Sequence, residues 1–442
     1  MPQTIFLHHC RWLLMLSLAL LLTRPVAHAQ VTDFDQMPRC YANTKQAPSP
    51  VNIADFKYPP LTSYRGQKVY KISDAKVGKV PFRLHIPPNY DPAKPVPLIL
   101  LLHGAVGASH FSDALHPDVK NEATDDPFYN KLCQSGYLVI MPYGDRDKGF
   151  NWAANKYGAT ENFTFDALIS IINAVKKVVN IDDNKVFAFG HSDGADGAFA
   201  LDVYRPTLFA GFVSYNSMLA NLFVHDFYIH NAVNRPLYLV HSDKDDLRPI
   251  QQARVIVQYL DSLKAPVQYH EYLGYKHFDL HLDKDFTSAL TFVNTAKRNP
   301  YPQSVYWETG NRLNNSCDWL EVDDWGLKLP IAAWAEPNDI RFYNKTTHAR
   351  MNIKYYDNGP AAAVKGTFKN NVFDLQTSRI KQFKVLISPQ MVDLTQNVKI
   401  VVNGKLKHDA KITPDDSFFA NRFKADHDRK AIWVNAITIV CD

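Results

Sequence analysis

The stretch KVFAFGHSDGADGAFA, residues 185–200, decides the fold. It sets an apolar run, Val186 to Phe189, directly before Gly190-His191-Ser192-Asp193-Gly194. A serine hydroxyl is a weak nucleophile until a base takes its proton, and it must project from the backbone to meet a carbonyl carbon. A sharp strand-to-helix turn gives that projection, and crowding on such a turn favours residues without side chains two positions either side of the serine. Gly190 and Gly194 stand at those two positions, and Ala195, Gly197 and Ala198 carry small residues on into a predicted helix. A glycine-rich turn with a capping serine is the alternative. The apolar strand before the motif and the helix after it favour Ser192 as a nucleophile.

Working outward, residues 68–298 alternate short aliphatic or β-branched runs with longer helical patterns, which implies a mostly parallel sheet covered by helices. Strands are predicted at Lys68 to Ile72, Phe82 to Ile86, Leu98 to His103, Tyr137 to Met141, Val186 to Gly190, Gly211 to Tyr215, Leu237 to His241 and Val267 to Tyr272. The clearest helix runs from Phe163 to Val179, where Phe165, Leu168, Ile169, Ile172, Val175 and Val178 recur at helical spacing. After Arg298-Asn299-Pro300-Tyr301-Pro302 the pattern changes to short alternating runs with no long helical period, and Asn403-Gly404 marks a tight hairpin. The expected organisation is a signal peptide at 1–29, an extended leader at 30–64, a catalytic domain at 65–300 and a β-sandwich-like domain at 301–442.

The first segment carries Arg11, an apolar run from Trp12 to Leu22, and Ala27-His28-Ala29, the pattern of a cleavable secretory signal. The mature chain is therefore expected to begin near Gln30, to be secreted or periplasmic, and to have no membrane span. Removing Arg11 and Arg24 leaves 47 basic against 44 acidic residues, a charge of +3 that does not argue for nucleic acid. The 46% hydrophobic and 21% charged composition is that of an ordinary globular chain. Cys40, Cys133, Cys317 and Cys441 would remain after export, too widely spaced for a zinc knuckle, and the histidines show no metal-ligand clustering, so no metal is expected. A Cys317–Cys441 disulfide is expected, because one cysteine lies near the first strand of the β region and the other at its last. Cys40 with Cys133 is a weaker pairing.

Partners for Ser192 are sought downstream, acid before base. Behind the strand ending at His241, the loop Ser242-Asp243-Lys244-Asp245-Asp246 holds three competing acids. Farther on, Gly274-Tyr275-Lys276-His277 follows a strand, with His270 and His281 as rivals. These residues together resemble the α/β-hydrolases, in particular secreted esterases of the polyhydroxybutyrate depolymerase and feruloyl esterase kind, over residues 68–298. In that fold the acid loop commonly reads His-Gly-x-x-Asp and the base lies in Gly-x-x-His. The resemblance therefore selects Asp245 and His277, although Ser242 stands where the family has glycine.

By the same resemblance, Leu98 to Gly107 matches the His-Gly segment after the third strand, so the oxyanion donors are the backbone N–H groups of Ala105 and Asp193, with Val106 as the alternative to Ala105. His103 is read as fixing that loop. Trp152 is read as a wall of the acyl or leaving-group pocket, or else as packing for its own loop. Five tryptophans, Trp307, Trp319, Trp325, Trp334 and Trp433, fall in the last third, where filling a β core outweighs a sugar-binding platform. The activity implied is serine ester hydrolysis without a cofactor, on a bulky or polymer-linked ester. A prolyl oligopeptidase-like peptidase and a non-catalytic polymer-binding protein are the other readings.

Overall fold

The computed structural model describes residues 32–39, 41–42, 56–106, 126–152, 163–218, 227–310, 314–336, 340–344, 349–353 and 361–441. The signal segment and Cys40 lie outside these residues. Nine strands form the central sheet: β1 (Thr32–Asp33), β2 (Gly66–Asp74), β3 (Gly78–Ile86), β4 (Val96–Leu102), β5 (Leu138–Pro142), β6 (Ile181–His191), β7 (Gly211–Tyr215), β8 (Leu237–Ser242) and β9 (Val267–Tyr272). Their order is β1-β2-β3-β5-β4-β6-β7-β8-β9, antiparallel only where β3 meets β2 and β5. Helices α1 (Tyr129–Gln134), α2 (Thr164–Lys176), α3 (Asp193–Tyr204), α4 (Ile250–Ser262) and α5 (His281–Thr295) link the strands. This is the α/β-hydrolase fold.

Strands β4 and β5 are buried along almost their whole length, as expected where helices cover both faces of a parallel sheet. Two apolar clusters follow from that layering. One contains Leu98, Leu100, Leu102 and the buried stripe of α2; the other contains Ile99, Leu101, Phe187, Phe189 and the inner face of α5. The alternate residues of β4 thus feed opposite layers. Eight strands are expected from the sequence, and each has its counterpart. The ninth, β1, is only two residues long and pairs Thr32 with Tyr70, while the neighbouring Phe34 is wholly buried against Tyr70 and Phe82. Two residues are too few to show an alternating pattern.

Beyond α5 the chain forms a five-stranded sheet (Ser304–Thr309, Ala362–Lys369, Val372–Ser378, Val398–Val402, Lys405–Ala410) and a four-stranded sheet (Ser316–Cys317, Leu320–Trp325, Ile380–Ile387, Asn435–Val440). Both contribute to one core containing Trp307, Trp319, Phe373, Phe383 and Trp433. The Asn403-Gly404 turn has φ of 50° and 77°, the positive angles that a tight hairpin needs. A helix at Asp416–Asp426 has no counterpart in the sequence reading. Only Phe419 and Phe423 are buried along it, which is too thin a stripe to declare a period, though Asp415 caps it by accepting from the Ser417 and Phe418 N–H groups.

The expected Cys317–Cys441 disulfide is absent; Cys133, Cys317 and Cys441 all carry thiols. The sheet order explains why. Cys317 lies on one edge strand and Cys441 follows the opposite edge strand, with two strands between them. Three strand spacings are roughly 14 Å, about twice what a disulfide spans. The strand bearing Cys317 and the last strand share a sheet here but are not neighbours.

Buried ion pairs join the C-terminal region to the elements of the nine-stranded sheet. Arg298, 3% exposed, forks onto Asp428 at 2.6 and 3.0 Å and also donates to the Asn184 side chain and the Thr207 carbonyl. Arg235 forks onto Asp318, and Arg429 reaches Asp183 and Asn180. Arg298→Ala should lower the urea-unfolding free energy by about 3–5 kcal/mol, because Asp428 would keep a buried, uncompensated charge. Replacing both partners, Arg298→Met with Asp428→Leu, should recover most of that loss. A single variant as stable as the wild type would contradict the account.

Candidate active site

The elbow begins with a close approach. A Cβ on Gly194 would lie 1.7 Å from the Leu102 carbonyl oxygen, and one on Gly190 would lie 2.2 Å from the Gly194 carbonyl carbon. Only glycine lets the start of α3 settle against the end of β4. Between them Ser192 adopts φ 59° and ψ −124°, a strained conformation for a residue with a side chain. Its N–H donates to the Tyr215 carbonyl at 3.0 Å, and its own carbonyl accepts from the Asp196 N–H. The serine therefore points off the carboxyl edge of the sheet.

His277 lies between Ser192 and Asp245. Its Nε2 is 2.9 Å from Ser192 Oγ, and its Nδ1 is 2.7 Å from Asp245 Oδ2. Asp245 Oδ2 also accepts from Asn216 Nδ2 at 2.7 Å, and Oδ1 accepts from the N–H groups of Leu247 and Arg248 at 3.0 and 2.8 Å. Burial opposes the charged carboxylate, but the hydrogen bonds from His277, Asn216 and Arg248 outweigh it and hold its pKa down at about 2. Asp243 instead receives the Gly274 N–H, and Asp246 is exposed. The rival histidines are committed elsewhere: His270 to Asp285 at 2.8 Å, and His281 to Asn216 Oδ1 at 2.8 Å.

Ala105 has φ 48° at the turn after β4. The Val106 N–H donates to Asp193 Oδ2 at 3.1 Å, so it is already engaged within the protein. Asp193 gives its other oxygen to Arg248 at 2.6 Å, which turns its carboxylate into the protein and leaves its backbone at the first position of α3. His103 is structural: its Nδ1–H donates to the Gly104 carbonyl at 2.7 Å and its Nε2 accepts the Gly144 N–H at 3.0 Å. Trp152 differs from the pocket-wall reading. It is 1% exposed, its indole N–H donates to the His103 carbonyl, and its ring packs edge-on against His103. The indole is a strut beneath the loop, since buried Trp N–H groups take the nearest carbonyl.

Sequence reasoning missed Arg248 and Asn216. Arg248 is buried at the centre of five side-chain or backbone bonds, and Asn216, at φ 54°, bridges Asp245, Ser242 and His281. An arginine flanked by Leu247 and Pro249 before an apolar helix was the available signal.

Four buried histidines surround this centre. Burial is the main cause that lowers His103 to about 4, His191 to about 3 and His281 to about 4, and it lowers His241 as well. On unfolding each returns to about 6.5, so between about pH 6.5 and 4 the unfolded chain binds more protons than the folded one. The stability from neutral burial is thus present at neutral pH and lost on acidification. Asp126, Asp202 and Asp426, raised by burial, act the other way and are fewer. Urea unfolding should show lower stability at about pH 5.5 than at about pH 7, by about 1.4 kcal/mol per pH unit for each net proton. A protein more stable in acid would contradict this.

A family model described as "Putative esterase" matches residues 73–328. No curated protein matches the chain. Among solved structures, a thermostable esterase is similar at 20% identity and TM-score 0.43, covering 52% of this chain and 63% of its own. The chain thus spans less than two thirds of that protein. An S-formylglutathione hydrolase from Agrobacterium tumefaciens is similar at 13% identity and TM-score 0.40, covering 51% of this chain and 94% of its own. A dipeptidyl peptidase 4 from Porphyromonas gingivalis is similar at 14% identity and TM-score 0.41, covering 53% and 36%. With a family match over more than half its length on an α/β-hydrolase sheet, the chain belongs to the esterase family of hydrolases.

Proposed function

We propose that the protein is an exported serine esterase acting through Ser192, His277 and Asp245. The observation that carries this reading is the unbroken series Ser192 Oγ, His277 Nε2, His277 Nδ1 and Asp245 Oδ2, at 2.9 and 2.7 Å, mounted on a strained strand-to-helix turn. Ser192 Oγ attacks the ester carbonyl carbon as its proton passes to His277 Nε2. The developing oxyanion is met by the N–H groups of Ala105 and Asp193. His277 then returns the proton to the leaving alcohol, and water, activated by the same imidazole, releases the acid. Asp245 holds the ring in the productive tautomer and steadies its charged form. Export rests on the pattern of residues 11–29. The catalytic unit spans 65–300, and 301–442 forms the appended β unit.

The substrate we propose is a bulky acyl ester on a polymer, of the feruloyl, acetyl-polysaccharide or polyester kind. Leu247, Leu273, Phe278 and Leu280 are all more than half exposed on the acid and base loops, and the Phe278 ring lies 4.7 Å from that of His277. Such an apolar rim suits a large acyl or aryl group better than a small polar one.

Ser192→Ala and His277→Ala should each lower kcat on p-nitrophenyl esters about 10⁴-fold or more with the fold intact by circular dichroism, because triad members act as a unit. Asp245→Asn should cost less but still severely; greater damage from Asp243→Asn would move the acid. On matched substrates, kcat/KM should favour the ester over the amide, and acylated polysaccharide or polyester should be cleaved. A preference for the amide sinks the esterase reading, and activity confined to small soluble esters sinks the polymer.

A further inference from the structure

Arg248 ties together three segments whose relative position sets the chemistry. Its backbone belongs to the acid loop: the N–H donates to Asp245 Oδ1 at 2.8 Å, and the carbonyl accepts from His241 Nε2 at 2.7 Å. Its guanidinium leaves that loop for the elbow. There Nη1 donates to the Ser192 carbonyl at 3.0 Å and to Asp196 Oδ1 at 2.8 Å, while Nη2 donates to Asp193 Oδ1 at 2.6 Å. Asp193 passes the connection on, accepting the Val106 N–H at 3.1 Å. Asp196 also accepts from Ser217 Oγ at 2.6 Å and the Met218 N–H at 2.7 Å, which fixes the turn behind Asn216. The side chain of Arg248 is 4% exposed, and those of Asp193 and Asp196 are 15% and 0% exposed.

Two carboxylates in the first turn of α3 sit where a serine esterase develops negative charge. Alone they would oppose an oxyanion held at that helix start, because like charges in a dry site repel strongly. A guanidinium fork pairs with both at once, offsetting one of their two negative charges and fixing their direction, which a lysine point charge does not do. Resting on the serine-esterase reading above, we propose that Arg248 is a positioning residue for the oxyanion donors. It holds the Ala105 and Asp193 N–H groups against each other through Asp193, and it offsets part of the negative charge of Asp193 and Asp196 in the oxyanion's surroundings.

The test uses the full chain and p-nitrophenyl acetate. Arg248→Met should lower kcat about 10²-fold, comparable to loss of an oxyanion donor, while KM changes by less than about threefold. Asp193→Asn should lower kcat less than Arg248→Met does. The double variant should recover about tenfold over Arg248→Met, since the uncompensated charge at the first residue of α3 is gone while that of Asp196 remains. Where Arg248→Met does not fold, Arg248→Lys should fold and show an intermediate loss in kcat, with weaker inhibition by a boronic acid that mimics the oxyanion adduct. An Arg248→Met or Arg248→Lys enzyme with wild-type kcat overturns the proposal, as does a double variant no better than Arg248→Met. Absence of Ser192-dependent hydrolysis in the wild type would instead overturn the esterase reading itself.

Discussion

The contact on which everything else depends is backbone against backbone, where the start of α3 rests on the Leu102 carbonyl at the end of β4. It leaves no room for a side chain at residue 194 or at residue 190. The approach bends the chain from strand to helix within three residues and forces Ser192 to a positive φ. That strain persists because the surroundings over-determine it: the Ser192 N–H is bonded to Tyr215, its carbonyl to Asp196 and Arg248, and the helix behind it is almost wholly buried. The energy of strain is met by packing elsewhere, and the outcome is a hydroxyl with nowhere to turn but outward.

Parallel register does the rest of the assembly. His191 pairs with Tyr215, Tyr215 with Val240, and Ser242 with Tyr272, so β6, β7, β8 and β9 end close to one level. Whatever follows each strand emerges at the same edge: Ser192, Asn216, the 243–248 loop, and the turn leading to His277. Ligand sites in open parallel sheets occupy this carboxyl edge for the same reason. Residues separated by as many as 85 positions, such as Ser192 and His277, meet because four strands stop together.

This explains what was legible in the sequence and what was not. Strands and their order of functional residues are local patterns, so β2 to β9, Ser192 and the loops bearing Asp245 and His277 could be read directly. The choice among Asp243, Asp245 and Asp246 needed resemblance, because three acids in four positions share every local property. Arg248 and Asn216 were missed, since the bonds of their side chains run to residues far away in the chain, and the setting of Arg248 between Leu247 and Pro249 does not say where its guanidinium goes. The disulfide failed on sheet order, a non-local fact, and the two readings of Trp152 stayed open in the sequence because an aromatic on a loop near a strand end looks the same whether it faces ligand or loop.

The C-terminal sheets are bound into this arrangement through the far end of α3. The Val203 carbonyl accepts from Asn231 Nδ2, and Asn231 also exchanges hydrogen bonds with the Glu308 backbone in the strand Ser304–Thr309. Arg235, donating to the Phe209 carbonyl just past the same helix, forks onto Asp318. Close to these pairs Asp202 is wholly buried, and desolvation raises its pKa well above the ordinary carboxylate range. The helix that presents Ser192 is thus clamped at its start by Arg248 and at its end by side chains that reach the C-terminal sheets. The proposed nucleophile needs both, because an elbow fixed at one end alone would transmit any tilt of α3 to the serine.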